Sequence, residues 1–282
     1  MPLWFKSDST SYPHSSRPSR LMHSVLLIGT GRLAFHLGHA LRGAGFSIAG
    51  VAGRNEAQAT GLAKAFGCAA FGLNDPLPNA DLRILAVSDD AIRSVAEMLP
   101  VDGTPIIHLS GSKGLELLQP HERCGVLWPI QSFSPGEPVS FQRVPLIVDA
   151  DDDATLGLLH EVAARLSSTV VHLPFSLRQR LHLSAVIAAN FPTFLLREAE
   201  RLLSAHNIAP DLVHPLWKAT TEKALHGADN AVTGPARRGD VRTIAQQMDL
   251  LNDEPELRRA YAALSDLILR TYHPANRGNQ DL

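Results

Sequence analysis

The sequence has few cysteines, no long apolar run and little net charge, and each of these shortages argues against a class of protein. Two cysteines, Cys68 and Cys124, are too few for a disulfide framework and lack the spacing of a metal site. We therefore expect a cytoplasmic protein without a bound metal. No apolar run approaches the ~20 residues that cross a bilayer, which argues against a membrane protein. The net charge of -2 comes without a basic stripe, which argues against nucleic acid as a partner.

Apolar periodicity is missing from both ends of the chain. Residues 1–22 are rich in serine, proline and arginine, and we expect a disordered leader there, with a transit peptide as the alternative. A chain that starts at Met22 should keep its melting temperature and its ligand affinity. Residues 274–282 also read as a disordered tail. The 282-residue chain is long enough for two domains, and its 45% hydrophobic content supports a packed core.

The stretch from Ser24 to Leu41 reads as a strand, a glycine turn and a helix. The apolar run Val25 to Ile28 is followed by Gly29-Thr30-Gly31-Arg32-Leu33-Ala34 and then by apolar residues at helical spacing. In this context G-x-G-x-x-[GA] predicts a dinucleotide site. Gly29 permits the tight turn, Gly31 lets a pyrophosphate approach the backbone, and Ala34 lets the helix pack on the strand. We assign all six motif residues to the cofactor site, with a ligand-free glycine turn as the alternative.

A basic residue stands where the nucleotide type is selected. Arg54 follows the second predicted strand, Phe46 to Gly53, about 20 residues past the glycine turn, where an NAD site usually carries Asp or Glu. A cation at this position favours a 2′-phosphate, so we predict NADP(H) as the cofactor. The alternative is an arginine that simply faces solvent. Val87 and Ser88, at the end of the predicted strand Leu82 to Val87, should line the same cofactor.

Strands alternate with helices up to about residue 172, and this pattern predicts a doubly wound parallel sheet in an α/β fold. From Ser176 to Tyr272 the pattern is helical. The first long segment, Leu177 to His206, is expected either to run unbroken or to kink at Pro192. We therefore predict a cofactor-binding domain over residues 23–174 and an all-α domain for substrate binding and dimerisation over residues 175–273.

The loop after the predicted strand Pro105 to Leu109 is the first candidate for substrate chemistry. Ser110 and Ser112 offer hydroxyls and, as we read the loop, open backbone N–H groups that suit an oxyanion or a carboxylate. A simple polar turn is the alternative. Such a loop would lie at the carboxyl ends of the strands, where open α/β sheets bind their ligands.

The helical part supplies the other candidates. A histidine titrates near neutral pH, so His182 could donate a proton, although a hydrogen-bonded core histidine is the alternative. Asn190 could orient a substrate or tie helices together. Arg238, in a Gly-Pro turn, could hold an anion. Asp240, just before Val241, reads as a helix N-cap.

The chain resembles a bacterial family that joins a Rossmann-like NADP-binding domain to a helical C-terminal domain of unknown function. The motifs that carry the resemblance are G-T-G-R-L-A, A-V-S-D-D-A-I, H-L-S-G-S, P-I-Q-S-F, H-L-S-A-V-I-A-A-N-F and T-G-P-A-R-R-G-D, and they span nearly all of residues 22–272. The family is similar in architecture to pyrroline-5-carboxylate reductases, deazaflavin-dependent NADP reductases and the 6-phosphogluconate dehydrogenase group. That similarity implies dimers built through the helical domain. Many hydroxyacid members of the group use a lysine on the first long C-terminal helix, where this chain has Arg178 and His182.

Two functions fit these features. The leading hypothesis is an NADP(H)-dependent oxidoreductase that moves hydride to or from a small C=O or C=N substrate in a cleft between the domains. His182, Asn190 and Ser110 would then carry the catalysis, while Ser112 and Arg238 would bind the substrate. The alternative is a regulatory or scaffold protein that binds NADP(H) without turnover.

Overall fold

A computed structural model describes residues 24–274, and its first part is an eight-stranded sheet. The strands are β1 Ser24–Ile28, β2 Ser47–Ala52, β3 Ala69–Phe71, β4 Leu82–Leu85, β5 Ile106–His108, β6 Cys124–Pro129, β7 Leu146–Ala150 and β8 Val170–His172. Their order across the sheet is β3-β2-β1-β4-β5-β6-β7-β8. The predicted leader, residues 1–22, and residues 275–282 of the predicted tail lie outside the described residues.

The doubly wound α/β fold is confirmed, with one departure from a parallel sheet. β7 runs antiparallel to β6, and β8 runs parallel to β7, so the last two strands point the opposite way from the other six. A parallel return usually needs a crossover helix. The connection from β6 to β7 instead contains a single 3₁₀ turn, Phe141–Arg143, and the chain reverses direction there.

Alternation along β1 explains why both faces of the sheet are covered. Val25 and Leu27 pack with α1 (Arg32–Gly43), α2 (Glu56–Phe66) and α4 (Asp153–Leu166) on one face. Leu26 and Ile28 pack with α3 (Ile92–Glu97) on the other. Successive side chains of a strand point to opposite faces, so a continuous apolar run is what a strand buried on both faces requires. The carboxyl ends of the parallel strands are therefore brought together at one edge.

The first long helical segment is neither an unbroken α-helix nor a simple kink. α5 covers Phe175–Ala185, residues 186–190 are π-helical, and α6 covers Phe191–Ala205. Pro192 has no N–H to donate, and its ring crowds the carbonyl four residues earlier. The wider π turn just before it relieves this crowding.

The remaining helices are α7 His214–Ala224, α8 Ala228–Ala231, α9 Pro235–Arg238, α10 Val241–Asp249 and α11 Pro255–Tyr272. Contacts divide the chain after Ala188 into two compact units. We call the described residues 24–188 the sheet unit and residues 189–274 the helical unit. α5 thus groups with the sheet, whereas the sequence places a domain boundary after residue 174. Within residues 24–274, every helix is too short or too polar to span a bilayer.

Candidate active site

Glycine is required at the turn after β1. Gly29 has a φ of 126°, which L side chains rarely adopt, and a Cβ there would lie 2.1 Å from the carbonyl oxygen of Ala86. Hydrogen bonds fix the turn on both sides, from Gly29 N to Ala52 O (2.8 Å) and from Ala86 N to Ile28 O (2.7 Å). The close approach of the strand backbones therefore explains the first glycine of the motif.

The second glycine of the motif leaves open space. Gly31 has a φ of -77°, and among the described residues no heavy atom lies within 4 Å of a Cβ built on it. Gly31 is the N-cap of α1, so the N–H groups of the first helical turn, which the helix itself does not use, lie next to this space together with the positive end of the helix dipole. Such a cradle is what a pyrophosphate needs, and the residues therefore fit a dinucleotide.

A cleft of about 250 Å³ is lined by residues that follow β1, β2 and β4. The predicted cofactor residues that line it are Gly29, Thr30, Gly31, Arg54, Val87 and Ser88. Sequence reasoning missed the other lining residues, which are Gly53, Asn55, Gln58, Leu73, Ala86, Ala91 and Val95. Arg32, Leu33 and Ala34 form the first turn of α1, where Ala34 is buried as helix packing requires.

Arg54 is exposed at the end of β2, directly beside this cleft. The next residue, Asn55, is the N-cap of α2 and accepts a hydrogen bond from Gln58 N (3.0 Å). The Thr30 hydroxyl donates to Gln58 Oε1 (3.0 Å). Thr30 can therefore offer a ligand its oxygen lone pairs, while its proton is already used. Asn55 could have been found from sequence, since an Asn before a helix is a frequent cap.

The loop after β5 does not have the open N–H groups that the sequence suggested at Ser110 and Ser112, so that part of the prediction is wrong. Ser110 N donates to His108 Nδ1 (3.1 Å), and Ser112 N donates to Ser110 Oγ (3.2 Å). The Ser112 hydroxyl donates to Asp89 Oδ2 (2.8 Å), which leaves the Ser110 hydroxyl free to donate to Ser112 Oγ (3.3 Å). These donors are therefore already hydrogen-bonded within the protein, and the negative charge of Asp89 disfavours the binding of an anion next to them. Asp89 is 23 residues from Ser112 along the chain, so no local pattern reveals the contact.

His108 is neutral beneath this loop. Burial lowers its pKa to about 4, and the positive charge of Arg178 acts in the same direction. Because Nδ1 accepts the Ser110 N–H, the ring proton belongs on Nε2, which lies 3.3 Å from Gly114 O. His108 therefore joins the two ends of the loop.

His182 lies at the carboxyl end of β6. Its ring centroid is 5.5 Å from that of Trp128, with the two ring planes at 48°. Trp128 also contacts the loop of residues 110–113, which we call the serine loop, because a Cβ on Gly111 would lie 2.4 Å from Trp128 Cε2. The half-buried His182 and Gly111 of the loop thus both adjoin the indole ring of Trp128.

Arg178, one helical turn before His182, is fully buried. Its Nη1 donates to Ser110 O (3.0 Å) and to Lys113 O (2.7 Å), and its Nη2 lies 3.4 Å from Asp149 Oδ2. Burial lowers the pKa of Arg178, and the negative charge of Asp149 opposes that shift. These contacts hold α5 on the serine loop.

The other predicted site residues belong to the helical unit. Asn190 is exposed immediately before α6, and Arg238 is exposed at the end of α9. The interpretation of Asp240 as an N-cap is confirmed, since its carboxylate accepts from Thr243 N (3.1 Å) and from the Thr243 hydroxyl (2.7 Å). Because Asn190 is exposed, its side chain does not need a hydrogen-bond partner within the protein.

The strand order, the glycine turn and the unused helix N-terminus define a dinucleotide-binding α/β fold, followed here by a helical unit. Residues 7–131 match the model of the Rossmann-like domain, and residues 144–268 match the Domain of unknown function (DUF2520). The chain belongs to the family that joins these two domains, which confirms the resemblance seen in its motifs.

Solved structures are similar over most of the chain. BF3122 from Bacteroides fragilis, described as a candidate NADP oxidoreductase, is 30% identical with a TM-score of 0.80, over 88% of this chain and 98% of that one. Protein TM1727 from Thermotoga maritima is 23% identical with a TM-score of 0.68, over 90% and 99%. A 1-pyrroline-5-carboxylate reductase from Streptococcus pyogenes is 13% identical with a TM-score of 0.58, over 89% and 98%, and shares the fold. No curated protein matches the chain.

Proposed function

We propose that this chain is an NADP(H)-dependent oxidoreductase acting on a small molecule with a C=O or C=N group. The cleft carries the proposal, because it gathers the glycine turn, Arg54 and the residues after β4 at the carboxyl edge of the sheet. The similarity to BF3122, whose description includes NADP oxidoreductase, supports the same class. A bound nicotinamide would supply or accept the hydride. Both cysteines are free thiols, which suits a cytoplasmic enzyme.

Each predicted residue has a role in this proposal. The first-turn N–H groups of α1 bind the pyrophosphate, and the guanidinium of Arg54 binds the 2′-phosphate. Val87 and Ser88 form the wall after β4. His182 donates a proton to the substrate oxygen or nitrogen, and the Ser110 and Ser112 hydroxyl oxygens accept hydrogen bonds. For Asn190 and Arg238 we keep the proposed roles in catalysis and in substrate binding.

Nucleotide titration tests the cofactor part of the proposal. By calorimetry the parent protein should bind NADPH more tightly than NADH. Arg54→Asp should weaken NADPH binding about 10- to 100-fold, because charge-assisted hydrogen bonds to the phosphate are lost. Arg143→Asp, the same charge change at an exposed residue between β6 and β7, should leave both affinities unchanged. Equal binding of NADPH and NADH by the parent protein would contradict the proposal.

A turnover screen tests the enzymatic part. The protein and NADPH are mixed with panels of imines, oxo acids and aldehydes, and substrate-dependent loss of NADPH is followed. With a positive substrate, His182→Asn should lower kcat by roughly 10²–10⁴-fold, the usual contribution of a well-placed general acid, and spare NADPH affinity. Tight NADPH binding with no turnover on any panel would favour the regulatory or scaffold alternative.

We also propose that two copies associate through the helices that follow Ser176, as the sequence predicts. Leu183, Ile187, Phe191 and Phe194 lie along α5, the π turn and α6, and all four are more than half exposed. Exposed apolar surface of this kind usually marks an interface. A second copy is the occupant that we propose, because the same apolar stretch on each copy can form a symmetric, self-complementary contact.

A further inference from the structure

Arg178 is among the largest fully buried side chains of the described residues. Taking a guanidinium out of water costs several kcal/mol unless other groups compensate. Here the Asp149 carboxylate supplies the opposite charge at 3.4 Å, and the carbonyls of Ser110 and Lys113 accept the two Nη1 hydrogens. Within residues 24–274, Arg178 Nε finds no acceptor. The burial is therefore only partly compensated, and a role in positioning would explain why a cation stands here.

The position of Arg178 on α5 sets the orientation of the next turn. Residues four apart share one face of a helix, so the face that holds Arg178 on the serine loop also carries His182. The second contact of this face is the one between His182 and Trp128, whose ring centroids are 5.5 Å apart. Gly111 completes the arrangement, because any side chain there would collide with the Trp128 ring.

We propose that Arg178 is a positioning residue that clamps α5 to the Ser110–Lys113 loop and thereby holds His182 against Trp128. The inference rests on the proposed function in that the positioned group is the proposed proton donor. Arg178 itself does not bind a substrate anion, because it is fully buried and its Nη1 hydrogens are both donated to the loop.

Fluorescence of Trp128 tests this positioning without any substrate. Trp4→Phe and Trp217→Phe leave Trp128 as the single tryptophan of the full chain. The imidazole of His182 lies against the Trp128 indole, so the emission of Trp128 at neutral pH should differ between this variant and the same variant with His182→Gln. This difference in emission reports the contact between His182 and Trp128.

Arg178→Lys and Arg178→Met should each remove at least about half of the His182-dependent difference in emission, because neither side chain can make the forked contacts of arginine. NADPH affinity should stay within about twofold, because Arg178 does not line the cofactor cleft. Arg180→Met changes an exposed arginine of the same helix and should leave the difference in emission intact. Asp149→Asn removes the opposite charge and should reproduce the effect of Arg178→Lys.

Two results would overturn the proposal. One is an unchanged His182-dependent difference in emission in folded Arg178→Lys or Asp149→Asn, which keeps the test valid where Arg178→Met fails to fold. The other is the absence of that difference when Arg178 and Asp149 are both present, since the contact to be positioned would then not exist. NADPH binding and turnover are measured separately. A negative fluorescence result therefore leaves the cofactor proposal standing, and absent turnover leaves the positioning proposal standing.

Discussion

The sheet unit and the helical unit bury their apolar residues very differently. Val25 to Ile28 in β1 are completely buried, and apolar clusters cover both faces of the sheet. The helical unit has a small buried cluster of Ala236, Ile244 and Met248, whereas Leu225 and Leu250 are 85% and 83% exposed. The difference teaches that the chain's own packing covers the apolar strands, whereas it leaves large apolar side chains of the helices exposed, and exposed apolar surface usually marks an interface.

The largest effect should come from placing charge on the apolar surface of α6. In the proposed symmetric dimer, Phe191→Glu with Phe194→Glu would put four carboxylates into the interface, where burying unpaired charge is costly. We expect self-association to weaken at least about 1000-fold, or about 4 kcal/mol. Sedimentation equilibrium measures the change in mass.

A matched pair on the sheet unit controls for charge alone. Val101→Glu with Val171→Glu alters two exposed apolar residues outside the helical unit and should leave the sedimentation mass unchanged. A parent protein that sediments as a ~30 kDa monomer at micromolar concentration, where an interface of standard size should hold a dimer, would contradict the proposed dimer.

A smaller effect is expected from the two glycines of the turn, which separate folding from ligand binding. Gly29→Ala combines an unfavourable φ with a collision against Ala86 O and should destabilise the protein by about 3 kcal/mol. Gly31→Ala should change stability by less than about 1 kcal/mol, because its φ is ordinary and the space is open. It should nevertheless weaken NADPH binding, since the new methyl group enters the phosphate cradle. Urea unfolding and calorimetry measure the two quantities, and equal loss of stability in both variants would refute this reading.

The smallest effect concerns an ion pair between β4 and the loop before β5. Arg83 is nearly buried on β4, and its Nη1 and Nη2 donate to the Asp102 carboxylate at 2.9 Å and 2.5 Å. Asp102→Asn leaves this cation without its opposite charge. We expect the free energy of unfolding to fall by about 2 kcal/mol. This is less than the usual cost of breaking a fully buried pair, because the Asp102 side chain is 42% exposed. Urea unfolding at neutral pH gives the value.

The same ion pair predicts a pH dependence. Its hydrogen bond with Arg83 holds the pKa of Asp102 well below the usual range. A carboxyl with a depressed pKa contributes stability that is present above its unfolded pKa, about 3.9, and is lost as pH falls through the folded value. The stability difference between the parent and Asp102→Asn should therefore narrow below about pH 4. Asp90→Asn, an exposed acid, is the control, and a constant difference from neutral to acidic pH would refute this assignment.

Sequence patterns predicted those features that depend on local chemistry. Gly29 is required by the turn, Gly31 leaves open space at the start of α1, and Asp240 caps a helix in the way its position indicates. The cleft lining at Arg54, Val87 and Ser88 also follows from which residues come after each strand. Local pattern was sufficient here because each residue acts within its own turn, cap or strand end.

Features that depend on distant partners were not predictable in this way. An apolar run has no direction, so β7 could not be recognised as antiparallel. The N–H groups of Ser110 and Ser112 were read as open because their acceptors, His108 Nδ1 and Ser110 Oγ, are brought to them only by the fold of the loop. The acceptor of the Ser112 hydroxyl, Asp89, lies 23 residues away along the chain. The local sequence does not distinguish Arg178 from other helical arginines, because its partner Asp149 lies 29 residues away along the chain.

The reversal of direction at β7 determines how the chain arrives at the site. β7 and β8 point away from the carboxyl edge, and α5, which follows β8, reaches Asp149 of β7 through Arg178 and Trp128 of β6 through His182. From Arg178 to His182 it advances about 6 Å, which matches the advance of β6 over the two residues from Val126, level with Asp149, to Trp128. The spacing of Arg178 and His182 on α5 thus matches the spacing of their contacts, measured along β6. One residue inserted between Arg178 and His182 would turn the imidazole about 100° around the helix, whereas one inserted in the loop before Pro174 could be absorbed.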